Sequence, residues 1–364
     1  MASNREYMQQ AIRLAEKGRY TTDPNPCVGC VIVKEDQVVG EGWHHYAGEA
    51  HAEINALRQA GTGAAGAIVY LSLEPCSHTG KTPPCADALI EAGVKKVFVA
   101  MMDPNPLVAG KGLNRLQDAG IEVETGLLEA QARALNPGFI TRMEQGRPYV
   151  RVKLASSLDG RTAMSSGESK WISGEASRMD VQRLRAESSA VLTGIETVLA
   201  DDPSMNVRLS AEQLGVDAVR QPRRLVLDSR FRIPADVKIA GEGGTCTVYT
   251  AVDVDRPEQY PFEIRKVDST DGQIDLRKLM RDLAKDDVNL LHVEAGSILS
   301  GALLKDELVD EVILYVAPHI MGGDAKALFS LPGIEQMKDR VALEFKDMRM
   351  VGDDLRITVL PVKD

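Results

Sequence analysis

The order of hydrophobic and polar positions in the first part of the chain predicts an alternation of helices and strands. Ser3 and Glu6 match a capping box, and apolar residues then recur at helical spacing until Gly18. The pattern next predicts a hairpin over residues 27–33 and 37–43, a helix over 51–60, a strand over 68–73, a helix from about 85 to 93, a strand over 94–101, a helix over 113–119, a strand over 121–125 and a helix over 128–135. This alternation is typical of a layered α/β domain.

A break in the pattern is predicted at Asn136-Pro137-Gly138, and a domain boundary at Arg147-Pro148. Beyond it, strands are predicted over residues 149–155, 224–227, 246–249, 290–294, 312–317 and 355–360, with helices between several of them. We therefore expect two α/β domains, which span residues 1–147 and 148–364.

Composition narrows the classes of function. The 364 residues are 44% hydrophobic and 26% charged, and the formal net charge of -10 disfavours a nucleic-acid surface, which needs clustered Lys and Arg. No apolar run approaches the roughly 20 residues of a membrane span. The five cysteines are an odd set in a mid-sized chain, unlike the even frameworks of small secreted domains. We expect a cytoplasmic protein that contacts neither membrane nor nucleic acid.

The strongest chemical signal is a set of metal-ligand residues near three predicted element ends. His51 begins a predicted helix, Cys76 follows a predicted strand, and Cys85 begins another helix. A helix N-terminus favours the thiolate form of a nearby cysteine, which is the form that binds zinc. Three protein ligands leave the fourth position of a tetrahedral zinc to water, as catalytic sites do. The set predicts one catalytic Zn²⁺ per chain.

Glu53 lies two residues after the candidate ligand His51. Zinc lowers the pKa of its water toward neutrality, and the resulting hydroxide attacks a ring carbon that carries an amino group. Zinc deaminases have a glutamate in this place that does not bind the metal but moves protons. Glu53 is therefore the candidate general acid and base, although any one of these residues alone is equally compatible with an ordinary helix start or a core thiol.

The pair Cys27 and Cys30 is a second candidate zinc or redox motif. Residues at an odd offset in a strand point to opposite faces, so both sulfurs reach one metal only if Gly29 bends the backbone. Core packing is the favoured interpretation.

Three segments resemble the cytidine-deaminase superfamily: Asp23-Pro24-Asn25-Pro26-Cys27-Val28-Gly29, His51-Ala52-Glu53 and Glu74-Pro75-Cys76. Members that act on nucleosides or nucleic acids usually have two residues between their cysteines, whereas eight separate Cys76 from Cys85. This insert, with the segment from Met102 to Gly112, resembles the bifunctional deaminase/reductases of riboflavin biosynthesis.

The resemblance implies a cytidine-deaminase-like three-layer domain that deaminates a diaminopyrimidinone carrying a ribosylamino 5-phosphate. By position, Asn25 and His44 are expected to contact the pyrimidine and ribose region. Lys81, Asp103 and Asn105 are expected to bind the sugar-phosphate end, and a lysine suits a phosphate. Without the resemblance, residues 103–106 read equally well as a turn and Lys81 as a solvated charge.

The second half lacks the glycine fingerprint G-x-G-x-x-G of ordinary dinucleotide sites. Its best local signal is a strand ending at Glu294, a small-residue connection over 295–297 and a helix over 298–304, whose first N–H groups suit a phosphate. A plain strand-to-helix turn explains the same pattern.

The resemblance continues through residues 152–160, 193–203 and 293–296. It implies a dihydrofolate-reductase-like α/β domain that binds NADPH without the usual glycines and reduces the ribosyl group to ribityl. The residues implied for NADPH are Ala155, Trp171, Thr197, Asp201, Ser229 and Gly296, and those for the substrate are Lys153, Ser169, Arg185, Arg208 and Glu294. Arginines suit phosphate binding, but solvated, core or turn roles explain several of these residues singly.

The leading hypothesis is thus a bifunctional zinc-dependent deaminase and NADPH-dependent reductase whose partner is a small phosphorylated pyrimidine. A homodimer or higher homo-oligomer through the reductase domain is implied by the resemblance. Two alternatives remain at this stage: a nucleic-acid or nucleoside deaminase with an accessory domain, and a non-catalytic zinc-stabilised binding protein. The net charge and the long spacing between Cys76 and Cys85 count against the first, and a fourth protein ligand would indicate the second.

Overall fold

The computed structural model describes residues 2–77, 84–106, 108–241 and 243–362. Contacts within the chain divide it into two compact units, Met1–Gly146 and Arg147–Asp364. Within the described ranges, no helix is both long enough and apolar enough to cross a membrane.

The elements of the first unit follow the predicted alternation. They are α1 (Asn4–Glu16), β1 (Gly29–Lys34), β2 (Gln37–Trp43), α2 (Ala52–Ala60), β3 (Ile68–Leu71), α3 (Cys85–Glu91), β4 (Lys96–Val99), α4 (Lys111–Asp118), β5 (Glu122–Thr125), α5 (Glu129–Leu135) and α6 (Pro137–Gln145). The predicted capping box is present, because the Ser3 hydroxyl accepts from the Glu6 backbone while the Glu6 carboxylate accepts from the Ser3 backbone.

The predicted break at Asn136-Pro137-Gly138 is present, because α5 ends at Leu135 and Asn136 lies between two separate helices. The sequence analysis did not predict that another helix follows at once. A helix, α6, starts at Pro137, because proline at the first helical position lacks only an N–H that has no intrahelical partner anyway. The Asn136 side-chain oxygen accepts a hydrogen bond from the Cys27 backbone N–H at 2.7 Å. Helix α6 ends at Gly146, which has a left-handed conformation.

Among the described residues, the strands of this unit form one sheet in the order β2-β1-β3-β4-β5, with β3, β4 and β5 parallel. Side chains alternate between its faces. Val31, Tyr70 and Phe98 pack against α1, α5 and α6 on one face, while Ile32 and Val69 pack against α2, α3 and α4 on the other. The unit therefore has the predicted three layers, helices on both sides of a sheet.

Helix α2 lies very close to β2. A Cβ atom at Gly42 would be 2.3 Å from the carbonyl oxygen of Ala52, the first residue of α2. Only glycine permits this approach, which fixes where the amino end of α2, and with it His51, meets the sheet.

The second unit contains a longer alternation. Its elements are β6 (Tyr149–Ser157), β7 (Arg161–Ala163), α7 (Glu175–Glu187), β8 (Ala190–Gly194), α8 (Ile195–Asp201), α9 (Ala211–Leu214), β9 (Arg223–Leu227), β10 (Cys246–Thr250), β11 (Glu263–Lys266), β12 (Ser269–Thr270), β13 (Gln273–Ile274), α10 (Leu276–Lys285), β14 (Leu290–Val293), α11 (Ser297–Lys305), β15 (Glu311–Ala317), β16 (Lys326–Ala327), β17 (Leu343–Val351) and β18 (Asp354–Pro361).

Within the described part of this unit, one large sheet has the order β11-β10-β9-β8-β14-β6-β15-β18-β17. Neighbouring strands from β11 to β15 are parallel, and β18 and β17 are antiparallel at one edge. One face packs on α10 and α11, and the other carries α7 and α8. Because parallel strands share one direction, everything that follows their carboxyl ends lies at one edge of the sheet.

We expect Gly42→Ala to lower the free energy of unfolding of the first unit by about 1–3 kcal/mol, because its methyl group overlaps the Ala52 carbonyl. Urea titration followed by tryptophan fluorescence measures this, since Trp43 lies in β2 beside the substitution. Gly63→Ala is the control, because its Cβ would meet nothing closer than Val39 at 3.6 Å. Equal losses in the two variants would contradict the close approach.

Candidate active sites

Three predicted ligand residues of the first unit converge. His51 is the N-cap of α2, Cys85 is the first residue of α3, and Cys76 lies in the turn after β3. The His51 Nδ1 atom is 3.3 Å from Cys85 Sγ and 3.6 Å from Cys76 Sγ. In the described part of the chain, one group of three or more His, Cys, Asp or Glu residues is spaced closely enough to hold a metal ion, and it is this trio.

The spacing fits a zinc ion. Zinc bonds of about 2.0–2.1 Å to nitrogen and 2.3 Å to sulfur at tetrahedral angles separate the two ligand atoms by about 3.5 Å. The two nitrogen–sulfur distances are 3.3 and 3.6 Å, and all three ligand atoms lie within 4.8 Å of one another. Within the described ranges no fourth His, Cys, Asp or Glu ligand joins the group. Three protein ligands among the described residues equal the number that catalytic zinc centres use.

The two thiols are electrostatically unequal without a metal. Hydrogen bonds from the Cys85 thiol, from His51 and from the Cys85 backbone N–H lower the pKa of Cys76 to about 4. Donation to Cys76 and burial raise the pKa of Cys85 instead. A divalent cation bound by both sulfur atoms stabilises both as thiolates.

Glu53 lies in the first turn of α2, only 2% exposed. Burial raises the pKa of its carboxyl to about 7, against the opposing charge of His51. Among the described residues its Oε2 atom has no hydrogen-bond partner. A buried carboxyl oxygen without a partner is costly in a folded protein, so such atoms are concentrated at functional sites.

Asn25 and His44 lie next to this group. Their side chains form a hydrogen bond of 3.1 Å between Asn25 Nδ2 and His44 Nε2, and His44 Nδ1 donates to the Ala50 carbonyl at 3.2 Å. The His44 and His51 rings meet edge to face with centroids 5.3 Å apart. Burial lowers the pKa of His44, so its imidazole is neutral and its two nitrogens are held in fixed roles.

Asp103 and Asn105 lie in the connection between β4 and α4, where the Asp103 carboxylate accepts the Asn105 N–H at 2.8 Å. The Asp103 backbone N–H donates to the buried Glu74 carboxylate, two residues before Cys76. The connection is thereby tied to the turn that carries a candidate ligand. Lys81 lies outside the described residues.

Among the described residues, Cys27 and Cys30 belong to no group of three or more potential metal ligands. Cys30 lies in the apolar core between the sheet and α2, and the Cys27 sulfur is 3.4 Å from the Thr22 hydroxyl. Their buried positions agree with the favoured interpretation as core residues.

In the second unit, several of the predicted substrate residues form a buried charged cluster. Arg185 of α7 donates from Nε and a terminal nitrogen to the two Glu294 oxygens at 2.5 and 3.0 Å, and from its other terminal nitrogen to the Asn206 carbonyl. Arg185 holds the pKa of Glu294 well below its usual range although burial opposes this. Burial lowers the pKa of Lys153, which the charge of Glu294 partly offsets.

Four of the predicted cofactor residues lie near the same edge of the large sheet. Ala155 is close to the carboxyl end of β6, Thr197 lies in α8 after β8, Ser229 follows β9, and Gly296 follows β14 as the N-cap of α11. A Cβ atom at Gly296 would meet nothing within 4 Å, so open space adjoins the first turn of α11. This is the edge where open parallel sheets bind ligands.

The remaining residues predicted for the cofactor and substrate sites of the second unit are more exposed to solvent. Trp171 is 71% exposed, and the Arg178 guanidinium stacks 4.7 Å from its ring. Asp201 pairs with Lys170 at 3.3 Å. Arg208 is exposed and Ser169 half-buried.

Comparison with known proteins gives matches across the chain. The model of the cytidine and deoxycytidylate deaminase zinc-binding region matches residues 1–101, and that of the RibD C-terminal domain matches residues 148–357. Riboflavin biosynthesis protein RibD of Escherichia coli is 50% identical over 96% of this chain and 97% of its own. The RibD of Haemophilus influenzae is 49% identical over 98% and 96%.

Two solved structures extend these matches to the fold. RibD of Acinetobacter baumannii has a TM-score of 0.91 at 48% identity and covers 99% of both chains. A diaminohydroxyphosphoribosylaminopyrimidine deaminase/5-amino-6-(5-phosphoribosylamino)uracil reductase of Thermotoga maritima has a TM-score of 0.87 at 32% identity and covers 98% of both chains.

Fold and site together define a zinc-dependent deaminase unit joined to a dihydrofolate-reductase-like reductase unit. The chain belongs to the RibD family of riboflavin-biosynthesis proteins. It is a bifunctional deaminase and reductase, as the sequence predicted.

Two buried residues of these sites received no role in the sequence analysis. The Glu74 carboxylate accepts hydrogen bonds from the backbone N–H groups of Asp103, Gly110 and Gly112. These partners lie 29, 36 and 38 residues further along the chain, so no local sequence pattern indicates them. His292 lies fully buried with Nε2 3.4 Å from Glu294 Oε1, and burial lowers the pKa of its imidazole. Strand alternation gave a signal for His292, since residues 292 and 294 face the same side of a strand.

We expect Cys76→Ala to reduce bound zinc from one ion per chain to a small fraction of that, because two ligands hold zinc far more weakly than three. Elemental analysis of the purified protein measures this. Cys30→Ala is the control, because it removes a buried thiol of the same unit outside the trio. Zinc loss in Cys30→Ala with retention in Cys76→Ala would contradict the assignment of ligands.

Proposed function

We propose that the first unit hydrolytically deaminates 2,5-diamino-6-ribosylamino-4(3H)-pyrimidinone 5′-phosphate, and that the second unit then reduces the ribosyl group of the product to ribityl with NADPH. The observation that carries the proposal is the trio of His51, Cys76 and Cys85 with the buried carboxyl of Glu53 two residues after His51. The Thermotoga maritima relative is named as a deaminase and reductase for the same pair of reactions.

The three ligands suit a zinc ion, which when bound supplies the Lewis acidity that makes water a nucleophile at neutral pH. The chain supplies the proton transfers. Glu53 takes one proton from the attacking water and gives it to the ring nitrogen. It then takes the second proton from the hydroxyl group of the adduct and gives it to the amino group, which departs as ammonia while the ring carbon becomes a carbonyl. A pKa near 7 lets one carboxyl both accept and release protons at neutral pH.

Substrate orientation is assigned to residues around this centre. His44 lies against His51 and Asn25 is hydrogen-bonded to His44, and both contact the pyrimidine and ribose region of the substrate. Asp103 and Asn105 bind the sugar-phosphate end, with Lys81 as a further cationic contact. Their link to the turn of Cys76 through Glu74 supports a fixed distance between this end and the reacting carbon.

In the reductase unit, NADPH supplies a hydride when bound, and Ala155, Trp171, Thr197, Asp201, Ser229 and Gly296 form its site. The hydride goes to the anomeric carbon of the ring-opened ribosyl imine, and a proton goes to the adjacent nitrogen. Lys153, Ser169, Arg185, Arg208 and Glu294 hold the substrate. The charge of Glu294 supports a role in keeping Lys153 charged beside the substrate, and the buried pairing with Arg185 holds the Glu294 carboxylate in place.

We also propose that the enzyme acts in the cytoplasm as a homodimer through the reductase unit. Strand β17 is an edge of the large sheet and exposes Leu343, Phe345, Met348 and Met350, each between 47% and 64% exposed. A long edge strand with large exposed apolar side chains invites pairing with another chain. A second copy of this edge is the occupant that would cover it.

The direct test supplies the purified protein with the diaminopyrimidine phosphate and follows ammonia release and NADPH absorbance separately. We expect Glu53→Gln to lower ammonia release by about 100-fold or more while zinc stays bound, since general acid and base catalysis contributes this much. NADPH oxidation with the already deaminated substrate is expected to survive in this variant. In Lys153→Met we expect ammonia release to survive and NADPH oxidation to be lost.

The paired variants control for each other because they lie in different units. Loss of both activities in either folded variant would contradict two separate sites. A wild-type protein that releases no ammonia and oxidises no NADPH would contradict the proposed reactions altogether. Deamination of single-stranded RNA or DNA instead would favour the alternative of a nucleic-acid deaminase.

We expect Phe345→Glu combined with Met348→Glu to convert the wild-type dimer to a monomer, because charges on this edge oppose its pairing with a second copy. Light scattering during gel filtration measures the mass. Val252→Glu, at an exposed site after β10, is the control that should leave the dimer intact. A dimer that persists in the double variant would place the interface elsewhere.

A further inference from the structure

Glu74 is a buried anion whose partners are backbone groups of a distant segment. Its side chain lies between the end of β3 and the turn of Cys76, and the residue is 4% exposed. One carboxylate oxygen, Oε2, accepts the backbone N–H of Asp103 at 3.1 Å and that of Gly110 at 3.0 Å. The other, Oε1, accepts the N–H of Gly112 at 3.0 Å. Each oxygen is therefore occupied by donors from the connection between β4 and α4 or from the start of α4.

These contacts give α4 an N-terminal cap from outside the helix. Its N-cap residue, Gly110, has no side chain with which to accept the free N–H groups of the first turn. The Glu74 carboxylate takes the N–H of Gly110 and that of Gly112, and its negative charge is favourable at the positive end of the helix dipole. The position of α4 thus depends on a residue of the metal-site turn.

Steric contact fixes the same two segments together. A Cβ atom at Gly112 would lie 2.0 Å from the carbonyl oxygen of Pro75, the residue between Glu74 and Cys76. The helix start and the Pro75 peptide therefore approach as closely as backbones can. Asp103 is hydrogen-bonded to Glu74 at one end of this connection and, through its carboxylate, to the Asn105 N–H.

We infer that Glu74 is a positioning residue for the deaminase reaction: it sets the distance between the metal-bearing turn of Cys76 and the segment of Asp103 and Asn105 that holds the sugar-phosphate end of the substrate. The inference rests on the proposed function, which gives Asp103 and Asn105 that role. The hydrogen bonds of the Glu74 carboxylate go to the backbone N–H groups of Asp103, Gly110 and Gly112 rather than to the three metal ligands. Its effect on the reaction passes through the placement of the loop.

Three N–H donors require an acceptor-only group. A carboxylate offers about four acceptor sites on two oxygens, whereas a carboxamide of the same shape replaces one oxygen by an NH₂ group that is only a donor. In Glu74→Gln one or two of the three backbone N–H groups therefore face a donor and lose their bond. The connection then shifts away from the turn, although the fold of the sheet and the metal ligands are unchanged.

The test compares Glu74→Gln with the wild-type protein on two substrates. With the diaminopyrimidine phosphate we expect KM to rise about tenfold or more and kcat to change less than about threefold, because binding at a remote end is lost while the chemistry is kept. With the triaminopyrimidinone that lacks the sugar phosphate, kcat/KM is expected to be equal in the two proteins. Zinc content of one ion per chain reports that the metal site is intact.

Two further variants separate this role from general damage. Glu91→Gln makes the same charge change at an exposed position of α3, and we expect its kinetic constants to match the wild type. Gly112→Ala disturbs the same contact through Pro75 without altering the carboxylate, so its KM should rise on the phosphorylated substrate as in Glu74→Gln, which keeps the test decisive if Glu74→Gln fails to fold.

The outcomes distinguish the inference from the function on which it rests. An active wild type with an unchanged KM in Glu74→Gln overturns the inference alone. Equal losses on both substrates also overturn it, because they would indicate damage to the metal site rather than to the loop. A wild type that releases no ammonia from the phosphorylated substrate overturns the proposed function and the inference together.

Discussion

Parallel strands impose the constraint on which both active units depend. Neighbouring parallel strands end at the same edge of a sheet, so residues that follow them lie close together there even when they are far apart in sequence. In the first unit, Cys76 follows β3 and Asp103 follows β4, and these two strands are parallel neighbours. In the second unit the same rule brings together the segments after β8, β9 and β14. Several candidate site residues of each unit lie at such an edge.

Buried charge is handled differently in the two units. In the first, Glu53 keeps an oxygen without a hydrogen-bond partner among the described residues, and burial raises its pKa to about 7. In the second, Glu294 is fully engaged by Arg185 and its pKa is held low. A group that exchanges protons needs an environment that tolerates both of its forms, whereas a group that holds a neighbouring cation in place needs a permanent charge.

Glu74 combines a structural role with the positioning role inferred for it. Its carboxylate satisfies the free N–H groups at the start of α4, which is an ordinary requirement of any helix end. Because Cys76 lies two residues later, the same bonds connect a candidate metal ligand with the segment assigned to the substrate's sugar phosphate. Helix capping and active-site geometry are then maintained by one side chain.

The sequence by itself determined the layered α/β architecture and the zinc trio, because alternation of apolar residues and the spacing of His51, Glu53, Cys76 and Cys85 are local patterns with strong physical meaning. It gave the break at Asn136-Pro137-Gly138 but not the helix α6 that begins at Pro137, since proline and glycine near a helix start have the same local signature as a loop. The roles predicted for the reductase residues came from the family resemblance. Only the tertiary structure decided that Arg185 pairs with Glu294 and that Glu74 caps α4, because these contacts join segments about 109 and 36 residues apart and no local pattern encodes them.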